Sequence, residues 1–426
     1  MAYNSYTDCF ALMSHKAYEA YKTENVSEFA KQFPDIYRKF EDMKFIIDDE
    51  IDEIARLRFD NRKATFKSET RFLMVYPTQN CNCKCWYCYE NHIESKMHPN
   101  VIGSICKYVE KGIERKEFNT LHLTFFGGEP FMYFDDCVFP ILKNIKELCD
   151  KSNIIFHCFF ITNASLINED IVVALKPYNP MFQITLDGDE HKHDKVRMEK
   201  TNNAPTYRRI IDALHYISKH ITKKNHNVSN IVTIRINYDN QTLKNVDNII
   251  ADILDLDKSN FHVHLERVWQ TSDSITSEQN TLLKEAIVKF AQAGFRVGCS
   301  TFGPRMHSCP AEVYDYAVIN YNGLVYRCNG RNLTPETAEG RLLANGDIEW
   351  NEAKLHQRLS RATYENEKCL KCPMLPQCIG PCSQKQMEKG WGNIDDVCTI
   401  NNLDTSLEEY LTLMFEIRNY LSQVSK

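Results

Sequence analysis

The sequence predicts an α/β fold: a partial parallel (β/α)6 barrel between a small N-terminal α+β module and a cysteine-rich C-terminal domain. Three observations predict it. Six strand-like runs alternate with helical segments from about residue 70 onward, the pattern of parallel strands joined by crossover helices. The first 68 residues instead mix short strands with closely spaced helices. Beyond Gly298 the chain becomes rich in Cys, Pro, Gly and Asn. At 426 residues it exceeds the size at which one hydrophobic core usually stops growing, so several domains are expected. The boundaries fall at 1–68, 69–295 and 296–426.

In the N-terminal module, 5–12 reads as a hairpin and Ser14 as the cap of a helix reaching Tyr21. A second helix covers 26–33, and Pro34 starts a third that runs to Met43. The apolar triplet 45–47 reads as a strand, and the acids 48–50 open a further helix at its positive end. Mixed elements at this size suggest a compact winged-helix-like unit.

The barrel strands are predicted at 72–76, 121–126, 154–162, 182–186, 230–236 and 261–268. Helices at 136–150, 207–219 and 243–254 lie between them, and a helix at 277–292 closes the region. In parallel barrels the site forms where the strands end, at their C-terminal edge. Farther on, apolar runs 316–319 and 324–327 flank Asn322-Gly323, a strong hairpin signal. That hairpin delivers Cys328, and an amphipathic helix at 405–421 ends the chain.

A net charge of -6 argues against nucleic-acid binding by bulk electrostatics. The basic run 219–224 reads as a solvated face. The N-terminus lacks a basic segment followed by an apolar one, so no signal peptide is expected. No apolar run approaches the ~20 residues needed to span a bilayer, so a cytoplasmic protein without a membrane partner is expected. In such a chain 17 cysteines point to thiolate–metal ligation rather than disulfides.

The cysteine spacing narrows the chemistry further. Cys81-x3-Cys85-x2-Cys88 directly follows the first barrel strand. Three thiolates on a tight loop can hold three irons of a [4Fe–4S] cube and leave the fourth open to a ligand. Cys83 lies inside that loop but out of register with the three-ligand spacing. More than two hundred residues later come Cys309-x18-Cys328, Cys369-x2-Cys372-x5-Cys378-x3-Cys382 and Cys398. Taken alone, Cys369-x2-Cys372 reads as a zinc site. Cys9, Cys106, Cys137, Cys149 and Cys158 are scattered and read as buried or incidental thiols.

With Trp86 and Tyr87 before its last cysteine, the triad resembles the cluster loop of radical S-adenosylmethionine (radical SAM) enzymes. The resemblance implies a 5′-deoxyadenosyl radical that abstracts hydrogen from substrate, with the protein placing the C–H bond and excluding solvent. Gly127-Gly128-Glu129-Pro130 follows the second strand; alone it is a turn, but here it resembles the family's motif for the cofactor's amino group. Asn163 after the third strand and Thr185 at the end of the fourth stand where ribose and carboxylate contacts are expected. Arg197 is a candidate for the cofactor carboxylate, or else a surface arginine after a turn. Arg235 and Glu266 are weaker candidates that also read as an inward-facing charge pair.

The C-terminal array, including Gly323-x4-Cys328, resembles the SPASM domain with its two auxiliary [4Fe–4S] clusters. The resemblance assigns Cys369, Cys372, Cys378 and Cys398 to one cluster, and Cys309, Cys328 and Cys382 to the other. Either Cys299 completes the second, which we favour, or substrate binds its open iron. The expected inventory is three [4Fe–4S] clusters and S-adenosylmethionine. The resemblance further implies a maturase of ribosomally made peptides, cross-linking a precursor through a thioether or carbon–carbon bond. The N-terminal module would bind the leader at the strand near 5–12. A flavodoxin or ferredoxin would supply electrons. Oxidation of Cys or Ser to formylglycine is the alternative. The long N-terminal extension and Asn329 after Cys328 count against it.

Overall fold

The structure is a computed structural model that describes residues 1–23, 25–67, 69–222, 230–268, 276–299, 305–403 and 405–424. The end of the basic run 219–224 lies outside the described residues. Two compact units result. One gathers residues 1–67, 301–314 and 357–416; the other gathers 68–300, 315–356 and 417–426. The N-terminal 67 residues thus share a unit with most of the cysteine-rich segment.

In the first unit, β1 (Ala2–Asn4) and β2 (Cys9–Ala11) pair antiparallel. Helices follow at His15–Thr23, Val26–Gln32, Pro34–Asp42 and Glu53–Phe66. The triplet 45–47 is not a strand. Lys44 adopts φ 59°, and the Phe45 and Ile46 N–H groups return to Phe40 O to close the preceding helix. Phe45 stacks on Phe40 at 4.9 Å, and Ile46 packs with it around Phe29 and Phe40. The acids 48–50 precede the next helix, which Asp52 caps through the Ala55 N–H. That helix buries Leu57 with Tyr364, Cys369, Leu375 and Ile379.

The second unit is built on one sheet. Its strands are β3 (Thr70–Val75), β4 (Thr120–Phe125), β5 (Ile155–Thr162), β6 (Met181–Leu186), β7 (Val232–Tyr238), β8 (Phe261–Arg267) and β9 (Arg296–Cys299). They continue as β10 (Tyr316–Ile319), β11 (Leu324–Tyr326), β12 (Gly340–Leu342) and β13 (Ile348–Trp350). The order is β13-β12-β11-β10-β3-β4-β5-β6-β7-β8-β9. From β3 to β8 the strands are parallel with helices between them, the partial (β/α)6 barrel that the sequence predicts.

Two features extend the sheet beyond that expectation. Strand β9 adds a parallel neighbour to β8, and β10 pairs parallel with β3 at the other side. The predicted hairpin β10–β11 forms, and its first strand is fully buried, as a continuous apolar run demands.

Alternation along the barrel strands separates two faces. Leu121, Leu123 and Phe125 on β4, and Phe261, Val263 and Leu265 on β8, are buried. Phe125, Phe160 and Phe182 stack across three strands on that apolar face. The opposite face carries Gln183, Thr185, Arg235 and Asn237, which line a cavity. Polar side chains are tolerated there because the parallel strands satisfy their own backbone groups.

Candidate functional site

The cysteine loop leaves β3 at its C-terminal end and is held by hydrogen bonds of its own. Thr78 Oγ1 donates to Ser95 O at 2.6 Å and accepts from the Asn80 N–H at 2.8 Å. Asn80 Oδ1 in turn accepts from the Cys81 N–H at 2.9 Å, and Asn80 O from the Glu129 N–H at 2.9 Å. The paired glycines make this approach possible. Both have positive φ; a Cβ on Gly127 would lie 2.2 Å from the Tyr76 ring, and one on Gly128 1.9 Å from Asn80 O. Gly128 N–H also donates to Glu90 Oε2 at 2.8 Å.

Cys81, Cys85 and Cys88 all line one cavity at the strand ends. Two N–H groups approach Cys81 Sγ: that of Cys83 at 3.4 Å and Asn163 Nδ2 at 3.8 Å. Burial pushes the Cys85 thiol up to about 12, so the protein alone favours the thiol and bound metal would hold the thiolate. Cys83 is buried and serves the backbone. It bridges antiparallel to Glu199, while Lys84 N–H meets Met198 O and Lys200 N–H meets Asn82 O. This short pairing draws the segment after Arg197 onto the cysteine loop.

Arg197 and Asp187 form a buried ion pair. Tyr87 joins it, its hydroxyl donating to Asp187 Oδ2 and accepting from Arg197 Nη2, both at 2.5 Å. Asn237 Nδ2 donates to the same hydroxyl at 3.0 Å. His193 supports Asp187 from behind, its Nδ1 accepting the Asp187 N–H at 3.2 Å. Burial lowers the His193 pKa to about 3, so the ring is neutral, and the bond pattern assigns its proton to Nε2 facing Thr206. Asp187, Asn237 and His193 were outside the predicted site. Asp187 is signalled only by its place at the end of the fourth strand.

Glu129 is fully buried, and burial pushes its carboxyl up to about 7. It accepts from Thr162 Oγ1 at 2.7 Å, Phe131 N–H at 3.1 Å and Asn163 N–H at 2.8 Å. Three of roughly four acceptor positions on a carboxylate are thereby engaged. Thr162, Asn163, Thr185, Arg197 and Gly128 line the cavity. Arg235 lines it too, with Nε donating to Asn237 Oδ1 at 3.0 Å. Glu266 lies 3.1 Å from His264 Nε2.

Of the C-terminal cysteines, Cys369, Cys372, Cys378 and Cys398 neighbour one another closely enough that the other three add to burial in raising the Cys369 thiol. In the same unit, Ser308 Oγ donates to Pro381 O at 3.0 Å, which holds the segment of Cys309 beside that of Cys382. In the other unit Cys328 follows β11 near Tyr76 and Tyr89, and Cys299 ends β9 near Glu266 and Tyr238. Burial pushes Cys299 up to about 12. Among the described residues no three His, Cys, Asp or Glu side chains converge on a single-ion site. No helix of the described residues is long and apolar enough to cross a membrane.

Comparison with known proteins agrees with the fold. Residues 75–249 match the Radical SAM superfamily. The radical SAM cyclopropyl synthase TigE of Paramaledivibacter caminithermalis is 23% identical over 87% of this chain and 82% of its own. A cysteine-type anaerobic sulfatase-maturating enzyme of Clostridium novyi is 25% identical over 38% of this chain and 43% of its own. Among solved structures, Streptococcus suis SuiB bound to precursor peptide SuiA superposes with TM-score 0.54 at 18% identity. It covers 88% of this chain and 89% of that one.

Proposed function

Because the chain is a radical SAM enzyme, with that domain over residues 75–249, we propose that it matures a ribosomally made precursor peptide. It would do so by forming an intrapeptide thioether or carbon–carbon cross-link. One observation carries the reading: the three loop cysteines share a cavity with Asn163, Thr185 and Arg197 at the ends of parallel strands. A radical SAM domain implies a [4Fe–4S] cluster and S-adenosylmethionine, which together supply a radical able to take a hydrogen atom.

The residues fit that group. Cys81, Cys85 and Cys88 offer three sulfurs; the Cys83 thiol and burial hold Cys81 well above the ordinary thiol range, so a bound metal would be what keeps it as thiolate. Gly127 and Gly128 let the backbone approach closely and Gly128 lines the cavity, while Glu129 stands wholly buried behind it and holds Thr162 and Asn163 in place. Asn163 and Thr185 present hydrogen-bonding groups for a ribose. Arg197 is positioned for a carboxylate, with Asp187 and Tyr87 fixing its plane. The buried frame behind these residues excludes water from the strand ends.

In this reading Cys369, Cys372, Cys378 and Cys398 hold one auxiliary cluster. Cys309, Cys328, Cys382 and Cys299 hold a second, for three in all. The first 68 residues bind the leader, with β2 as the edge that receives it, and a flavodoxin or ferredoxin delivers electrons. SuiB, solved bound to its precursor peptide SuiA, supports a peptide substrate. The C. novyi relative supports the alternative, oxidation of Cys or Ser to formylglycine.

The test is anaerobic reconstitution followed by reduction and addition of S-adenosylmethionine. Wild type should release 5′-deoxyadenosine and bind about twelve irons, in three cubes of four. Replacing Cys81, Cys85 and Cys88 by Ala should abolish release and remove about one third of the iron. Undiminished release from that variant would overturn the reading.

A further inference from the structure

Arg235 is a cavity-lining cation for which the reading above has no use. It stands on β7 in register with Thr185 of β6 and His264 of β8, on the polar face of the barrel. Its Nε donates to Asn237 Oδ1 at 3.0 Å, and Asn237 Nδ2 donates to the Tyr87 hydroxyl at 3.0 Å. That chain fixes one edge of the guanidinium. Its two terminal nitrogens have no carboxylate partner among the described residues. A planar fork held along one side is preorganised for a bidentate carboxylate.

The balance of charge points the same way. Arg197 and Arg235 line the cavity with Arg267, which makes an interaction of its own, against one lining carboxylate, Glu90. Asp187 neutralises Arg197 from behind the wall, and Glu90 Oε2 is turned to the Gly128 N–H. S-adenosylmethionine brings a net positive charge and a cluster held by three thiolates a net negative one, so together they leave the balance of the cavity unchanged. An anion brought by the substrate would meet Arg235 between low-dielectric walls that strengthen the pairing. We infer that Arg235 receives a carboxylate carried by an acidic residue of the peptide, and so selects which segment of the precursor reaches the strand ends. The inference rests on the peptide reading and names the chemistry that such a peptide must present.

The test reads binding, not turnover. Two fluorescein-labelled decapeptide pools are prepared, randomised except for a central Glu in one and a central Gln in the other. Each is titrated with reconstituted full-length enzyme in the presence of S-adenosylmethionine, and anisotropy is followed. Wild type should favour the Glu pool by about ten- to a hundredfold, the range of a charge-assisted bond. Arg235→Gln should erase the preference, and Arg235→Lys should restore part of it, which a folding defect would not do. Affinity for S-adenosylmethionine, measured by equilibrium dialysis without peptide, should stay within about twofold in both variants. A tenfold loss there with the peptide preference intact would assign Arg235 to the cofactor carboxylate and overturn the inference. Equal binding of the two pools by wild type would also overturn it while leaving the peptide reading standing. Binding of neither pool would overturn the inference, while the peptide reading, which recruits substrate through its leader, would stand or fall on the product assay.

Discussion

The two cysteine-rich regions of this chain are held in different ways. The loop of Cys81, Cys85 and Cys88 is framed by bonds that need no metal: Thr78 to Ser95, Asn80 to Glu129, and the pairing of 82–84 with 198–200. Behind it stands a parallel sheet with a continuous apolar face. Of the array, Cys369 and Cys378 lie in helices of four residues each, Glu367–Leu370 and Leu375–Cys378, with Cys372 between them and Cys398 just after a third, Ile394–Val397. Helices that short do not persist on local bonding, because nucleation is not repaid by propagation. On the proposed reading, metal would be an addition to a preformed frame in one region and part of the frame in the other.

Removal of the array's thiols offers the largest test of that contrast. Replacing Cys369, Cys372, Cys378 and Cys398 by Ser should make residues 1–67 and 357–403 sensitive to limited proteolysis, since Leu57 packs with Tyr364, Cys369 and Leu375 in one core. The loss should exceed about 3 kcal/mol in that unit, because structural metal binding is folding free energy. The barrel, read as protected fragments from residues 68–300, should resist. Equal resistance of both regions would break the comparison.

A single backbone change tests the other half. Gly128→Ala places a Cβ 1.9 Å from Asn80 O at φ 28°, a contact with backbone that cannot yield cheaply. The expected cost is about 2–4 kcal/mol in barrel stability, measured by denaturant unfolding. Iron bound by the triad should fall while that of the C-terminal array is kept. A variant as stable as wild type would show that the loop is not held by its protein frame.

Much of this architecture was legible because its signals are local. The six barrel strands follow from apolar runs between helical periods, and the triad's position follows from its place after β3. What the sequence hid is non-local. The parallel pairing of β10 with β3 joins residues some 240 positions apart, and nothing near Tyr316 announces its partner. The segment 45–47 has the composition of a strand, yet Phe45 and Ile46 close a helix because Lys44 turns left-handed and brings their N–H groups onto the Phe40 carbonyl. Within the site, Arg197 could be singled out by its charge. Its partners Asp187, Tyr87 and Asn237 meet it only because 198–200 folds back on the cysteine loop.

The most direct measurement is made on product. Precursor peptide is incubated with reconstituted enzyme, S-adenosylmethionine and reductant, treated with a hydrazide probe, and fragmented in a mass spectrometer. Each cross-link removes two hydrogens, so mass should fall by about two units per bond. No hydrazide adduct should form, and fragmentation between the joined residues should be suppressed. An aldehyde adduct with an otherwise linear fragment ladder would contradict the account and establish formylglycine formation instead.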